Sequence, residues 1–122
     1  MLLKTGIDIL EIPRLQAALD RHGERFLKRV FTEREVLECR GRADALAVRF
    51  AAKEAASKAL GVGIGPVSWR DIETLHKCSG EPYLVLHGTA KKIAEELGLA
   101  VWAVSLSHSN ENAVAVVVAT GE

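Results

Sequence analysis

The order of helical and extended stretches in this chain predicts an α+β fold, β-α-α-α-β-β-α-β-β, with a mostly antiparallel sheet packed on helices. Three observations carry that prediction. The stretch Phe50 to Leu60 (FAAKEAASKAL) is rich in alanine and free of Gly and Pro, which is helix-forming composition. Thr5 to Leu10 (TGIDIL) is a short apolar run that reads as a strand. Two further apolar runs, Val101 to Ser107 and Ala113 to Thr120, flank the polar loop His108 to Asn112 and read as a closing hairpin.

The remaining elements follow in order. Pro13 suits the first turn of a helix, where its missing N–H costs nothing, and that helix runs to Arg21 before His22-Gly23 interrupts it. If the helix continues past Gly23, Arg14, Arg21, Arg25 and Lys28 fall in one narrow sector and form a basic stripe facing away from Leu15, Leu19 and Phe26. Thr32-Glu33-Arg34-Glu35 has the form of a capping box and starts a short helix ending near Cys39. The long helix begins near Ala43 and ends at Gly61, a residue suited to the position just past a helix C-terminus. Asp71 to His76 and Tyr83 to His87 are strands joined by the turn Ser79-Gly80-Glu81-Pro82. Thr89 is placed to cap a helix over Ala90 to Leu97, which Gly98 ends.

The last hairpin carries a message about assembly. Val114, Val116 and Val118 point to one face, and Ala113, Ala115, Val117 and Ala119 to the other, so neither face is polar. Antiparallel sheets of small domains usually leave one face to water. Both faces here call for a cover, and a sister subunit on one of them is the preferred arrangement. A helix of the same chain is the rival.

Length and composition set the outer limits. The 122 residues suit a single domain, residues 1–122, with 48% hydrophobic and 26% charged residues. Sixteen basic residues balance sixteen acidic ones, which argues against nucleic acid as a partner. No apolar run approaches the ~20 residues of a membrane span, and the N-terminus lacks the pattern of a signal peptide. Two cysteines without Cys-x-x-Cys spacing make no disulfide framework, so a cytoplasmic, reducing location is expected.

Few residues are candidates for chemistry. Asp8 is a carboxylate within an apolar strand, and buried acids are rare unless paired or bound to a cation. A local hydrogen-bonding role at the strand-to-helix turn has equal weight at this point. Glu54 and Lys58 are four residues apart on one helix face, which fits an ordinary ion pair. Should the long helix pack on the first strand, Asp8 and Glu54 would meet, and two carboxylates completed by waters and phosphate oxygens suit Mg²⁺. The stripes Ala51, Ala55, Ala59 and Ala52, Ala56, Leu60 allow that close approach. Ser107 beside His108 lacks the Gly-x-Ser-x-Gly turn of a hydrolase, and neighbours on a strand point to opposite faces. Anion contact by the loop's hydroxyls, amides and imidazole is the better use, with a plain surface loop as the alternative. The glycines from Gly61 to Gly65 follow a helix and are not followed by Gly-Lys-Ser/Thr, so they read as a cap and turn.

Three segments together resemble the holo-acyl-carrier-protein synthases, the short bacterial type of 4′-phosphopantetheinyl transferase. They are Gly6-Ile7-Asp8-Ile9 with Glu11 and Arg14; Arg49 to Ala55 with Lys58, Ala59 and Gly61; and Ser105 to Ser109 with Ala113 to Val118. The resemblance implies an enzyme of fatty-acid and lipid metabolism that moves 4′-phosphopantetheine from coenzyme A to a serine of apo acyl carrier protein, Mg²⁺-dependent, releasing adenosine 3′,5′-bisphosphate. It implies a homotrimer with active sites between subunits. It assigns Mg²⁺ to Asp8 and Glu54, charge stabilisation near the scissile bond to Lys58, and the base to Glu54. Arg49, His108 and Ser109 would contact coenzyme A. Arg14, Arg21 and Arg25 would dock the acidic carrier protein. No motif of the family falls on Arg40 to Asp44, so Arg40 and Arg42 receive no role. The rival reading is a non-catalytic coenzyme A or nucleotide-binding module, which would need basic groups more than a carboxylate pair.

Overall fold

A computed structural model describes all residues, 1–122. Strand β1 (Leu2–Glu11) leads into four helices: α1 (Ile12–His22), α2 (Glu24–Val30), α3 (Glu33–Cys39) and α4 (Ala43–Leu60). A 3-10 turn (Trp69–Asp71) precedes the hairpin β2 (Ile72–His76) and β3 (Pro82–Leu86). Helix α5 (Gly88–Leu97) and the strands β4 (Val101–His108) and β5 (Asn112–Gly121) complete the chain. The strands form a three-stranded antiparallel sheet in the order β1-β5-β4 and a separate β2-β3 ribbon. The α+β class and the antiparallel pairing are as expected.

One helix more than expected lies between β1 and β2, because Gly23 divides the first one. With φ 53° and ψ −127° it leaves helical geometry and serves as the last cap of α1 and the first of α2. The basic stripe therefore does not run along a single helix. Arg14 and Arg21 belong to α1, and Arg25 and Lys28 to α2. A second departure is at α5. Its cap position is His87, not Thr89, and no side chain caps it. The His87 ring turns instead to Glu73, its Nε2 3.0 Å from Oε1. The capping box at Thr32 and Glu35 forms as read.

Helix α4 is the axis of the molecule. Thirteen of its eighteen residues are buried, among them Arg49, Lys53 and Ser57. Its alanines lie on the inner face of the sheet, against Ala115, Val117 and Ala119 of β5. Gly6 on β1 makes the closest approach: a Cβ there would lie 1.8 Å from the Ala55 carbonyl oxygen. Only a residue without a side chain lets strand and helix touch in this way. Helices α1, α2 and α3 enclose a second apolar cluster around Leu15, Phe31, Cys39 and Leu46.

The outer sheet face has no cover. Leu3, Ile7, Ile9, Val101 and Val116 are exposed there, the first four by more than half. Register places Thr5, Val118 and Ala103 in the same row. No helix of the chain lies on this face, so the rival to a sister subunit is not realised. No helix is long and apolar enough to cross a membrane.

Candidate active site

Asp8 follows Gly6 on the helix-facing side of β1, two residues along and therefore on the same face. The contact of Gly6 with Ala55 brings Asp8 alongside Glu54 and Lys58. Lys58 Nζ donates to the Ile7 carbonyl at 2.9 Å and to Asp8 Oδ1 at 3.2 Å. The ion pair open to the sequence, Glu54 with Lys58, is replaced by Asp8 with Lys58. Glu54 is left without a hydrogen-bond donor. Its pKa is pushed up, first by burial and then by the negative charge of Asp8, with Lys58 offsetting part of both.

A cleft of about 360 Å³ opens beside this group, lined by Asp8, Leu10, Arg14, Leu15, Phe26, Phe50 and Glu54. Its aromatic wall is continuous: Phe50 stacks on Phe26 at 6.5 Å between centroids and leans on Trp69 at 4.5 Å. Arg14 thus shares a cleft with the two carboxylates. Arg25 lines a smaller recess with His22, Phe26 and Arg29, and Arg21 is exposed outside both.

A second and larger cleft, of about 700 Å³, lies on another face of α4. It is lined by Glu38, Arg40, Arg42, Asp44, Arg49, His76, Leu106, Ser107 and His108 among others. His108 is on the inner sheet face and Ser107 on the outer, as alternation requires. The His108 ring lies against its own loop, Nδ1 3.2 Å from the Ser109 carbonyl oxygen and Nε2 3.9 Å from Asp44 Oδ2. Ser109 and Arg42 meet in an adjoining recess. No residue lines both this cleft and the one at Asp8.

Arg49, expected to contact coenzyme A, lines this cleft with its donors already engaged. Its side chain is 4% exposed and its donors are spent inside the protein. They go to the Thr74 carbonyl at 3.2 Å, the Ala45 carbonyl at 3.0 Å and Glu38 Oε1 at 2.7 Å, with His76 Nδ1 at 2.8 Å. Burial works to raise the Glu38 pKa, but Arg49 and His76 outweigh it and hold the carboxyl low. Arg49 buttresses the wall of the basic cleft. The cations that face its space are Arg40 and Arg42, which the sequence reading left without a role. Their signal was the triplet Arg40-Gly41-Arg42 at a tight helix-to-helix turn, where Arg40 adopts a left-handed φ of 51°.

A further charge on α4 went unread. Lys53 is fully buried, and its ammonium donates to Glu35 Oε1 at 2.7 Å and to the Trp69 and Ile72 carbonyls. Glu35 accepts in addition from Thr32 N and Thr74 N, so one capping residue ties α3, α4 and β2 together. Burial pulls the Lys53 pKa down, and Glu35 opposes it.

Two carboxylates alone fit a shared metal site and not a protein cage, and no group of three or more His, Cys, Asp or Glu is placed to hold a metal ion by itself. Asp8 and Glu54 are hard oxygen donors, the charge of Asp8 helps to raise the Glu54 pKa, and an open cleft adjoins them. A divalent cation such as Mg²⁺, which keeps several waters and takes the rest of its ligands from phosphates, suits this set.

Residues 4–117 match the profile of the 4′-phosphopantetheinyl transferase superfamily. The chain belongs to that family. A holo-[acyl-carrier-protein] synthase of Herpetosiphon aurantiacus is 50% identical over 98% of this chain and 100% of its own length. One from Moorella thermoacetica is 49% identical over 94% and 91%. Among solved structures, the Helicobacter pylori holo-[acyl-carrier-protein] synthase in complex with coenzyme A superposes with a TM-score of 0.87. It is 34% identical and covers 95% of this chain and 99% of that one. The synthase from Bacillus anthracis, in complex with coenzyme A (3′,5′-ADP), has a TM-score of 0.80 at 38% identity, covering 98% and 96%. Within the superfamily the chain is therefore a holo-acyl-carrier-protein synthase type of phosphopantetheinyl transferase, and the reading as a non-catalytic module falls.

Proposed function

We propose that the chain transfers 4′-phosphopantetheine from coenzyme A to a serine of apo acyl carrier protein, Mg²⁺-dependent, and releases adenosine 3′,5′-bisphosphate. The observation that carries the reading is the convergence of Asp8, Glu54 and Lys58 at one strand-helix crossing beside an open cleft. Phosphoryl transfer depends on positioning and on neutralising charge, and this cluster offers groups for both. Asp8 and Glu54 would hold the cation, which when bound would polarise the pyrophosphate. Lys58, which contacts Asp8, would balance charge on the phosphoryl group. Glu54 has a raised pKa, which brings a carboxylate nearer to neutral pH and suits it to take the serine proton.

The basic cleft supports the other end of coenzyme A. Arg42, Arg40 and His108 present cationic or hydrogen-bonding groups to one space, and Ser109 adjoins it, a set suited to phosphate. Arg14, at the rim of the carboxylate cleft, and Arg21 and Arg25 beyond it, are exposed and would attract an acidic carrier protein.

A homotrimer with active sites between subunits is supported by two features. The outer sheet face carries Leu3, Ile7, Ile9, Val101 and Val116 in the open, a patch of the kind buried at subunit contacts. The two clefts share no lining residue, so pairing the basic cleft of one copy with the carboxylates of the next would complete a site. Solution mass tests the assembly. The activity is tested by incubating the protein with coenzyme A and apo acyl carrier protein, with and without Mg²⁺. A carrier mass gain of one phosphopantetheine, only with Mg²⁺ present, is the expected result; no gain over a range of carriers overturns it.

A further inference from the structure

Lys58 reaches across from α4 to β1 and rests on two acceptors, the Ile7 carbonyl at 2.9 Å and Asp8 Oδ1 at 3.2 Å. The side chain is half exposed at 52%, and the Asp8 side chain is 20% exposed. An ion pair this open to water is held weakly. Lys53, five residues earlier, differs on each count: it is 0% exposed and donates to three protein oxygens. One lysine of α4 is fixed in place and the other is free to leave.

An ammonium at 3.2 Å occupies acceptor capacity of Asp8 and places a positive charge where a second cation would have to come. We propose that Lys58 is the resting counter-ion of Asp8 and competes there with the divalent cation. The cation then binds tightly only once the pyrophosphate of coenzyme A draws the ammonium off Asp8. The inference rests on the reading of Asp8 and Glu54 as the carboxylates of the cation. Its physical basis is an exchange of partners. A phosphate group offers Lys58 stronger charge-assisted hydrogen bonds than a half-solvated carboxylate. The four-carbon stem allows the head to swing without moving α4. The cation and coenzyme A thereby assist each other's binding through one flexible side chain, a coupling that is reciprocal by linkage.

The experiment measures Mn²⁺ binding to the full chain, by electron paramagnetic resonance of the unbound ion, first without and then with coenzyme A. The parent protein is compared with Lys58→Met, Lys58→Arg and Asp8→Asn. Without coenzyme A, Lys58→Met is expected to bind Mn²⁺ about tenfold more tightly than the parent, the scale of one partly screened charge a few ångströms away. Lys58→Arg, which keeps the charge, is expected to stay near the parent. Coenzyme A is expected to tighten Mn²⁺ binding more in the parent than in Lys58→Met. Equal Mn²⁺ affinity of the parent and Lys58→Met, with equal tightening by coenzyme A, overturns the competition. Undiminished Mn²⁺ binding by Asp8→Asn overturns the carboxylate reading beneath it, which is a separate result. Lys58→Gln repeats the measurement should Lys58→Met not fold.

Discussion

Helix α4 carries two pairs of charged residues at the same spacing, and they have opposite fates. Arg49 and Lys53 are four apart, and so are Glu54 and Lys58. The second pair is set five residues along, about 140° around the helix. Arg49 and Lys53 face α3 and β2, are buried, and have partners for their donors. Glu54 and Lys58 face β1 and the solvent edge. There Lys58 is half exposed and Glu54 has no donor. The first pair is satisfied by the fold itself. The second is left with capacity for groups the chain does not contain. Charge on a helix is therefore a poor guide to function until its partners are counted.

Breaking the satisfied pair should have the largest effect on stability. Lys53→Met leaves Glu35 charged and buried, which costs on the order of 3–5 kcal/mol, as is usual when one partner of a buried pair is removed. Urea unfolding measures this. A loss below about 1 kcal/mol would erase the contrast between the two pairs.

Neutralising the other pair should do the reverse. Asp8→Asn and Glu54→Gln are each expected to slow transfer by on the order of a hundredfold or more, the scale for deleting one group that stabilises transition-state charge. Neither variant should lose melting temperature. A near-normal rate for either variant removes that residue from the site. In the basic cleft, Arg42→Ala should raise the KM for coenzyme A by about tenfold, in keeping with a hydrogen bond to a charged group. An unchanged KM would remove Arg42 from the phosphate contact.

The pH dependence of stability carries opposite signs at two carboxylates. The Glu54 pKa is raised, so the folded state holds its proton more tightly than the unfolded chain does. Stability is lost as pH rises from the ordinary carboxylate range through that raised value. Glu54→Gln should therefore melt above the parent at neutral pH, with the difference closing in acid. At Glu73, burial raises the pKa, but hydrogen bonds from Thr32 and His87 and the charge of Arg34 outweigh it and hold the carboxyl low. Its contribution is present above the ordinary range and is lost as pH falls through the lowered value. Glu73→Gln should therefore narrow the acid limb of the stability profile. Melting curves at stepped pH read both, and parallel profiles for the two variants would contradict the assignment.

The smallest effect concerns the cysteines. Cys39 is fully buried, and burial pushes its thiol up to about 11, whereas Cys78 is exposed. Iodoacetamide should label Cys78 alone in the native protein, since the thiolate is the reactive form. Equal labelling of both would show that the core around Cys39 opens.

The sequence revealed what depends on local pattern. The alternation in β5, the capping box at Thr32 and the alanine stripes all recur in the fold. The meeting of Asp8 with Glu54 and Lys58 was readable only as a condition, since it needs β1 and α4 to cross at one point. Long-range polar contacts were illegible. Lys53 sits beside Glu54 in sequence, and nothing local says that it reaches Glu35, Trp69 and Ile72. Arg49 looked like a ligand contact because a basic residue in a motif invites that reading, while its acceptors come from Ala45, Thr74 and Glu38. Gly23 was read as a stop or an interruption, and only its φ and ψ show that the chain resumes as a new helix.

Gly6 has no side chain and touches no ligand-bearing atom, yet it sets the gauge of the site. The separation of Asp8 from Glu54 is the separation of two backbones, and these meet where a methyl group would lie 1.8 Å from the Ala55 oxygen. Gly6→Ala adds no charge and removes none. It acts as a shim, forcing strand from helix and widening the carboxylate gap with all the site's functional groups intact. The tolerance of the site is thus held by a hydrogen atom two residues upstream of its first acid.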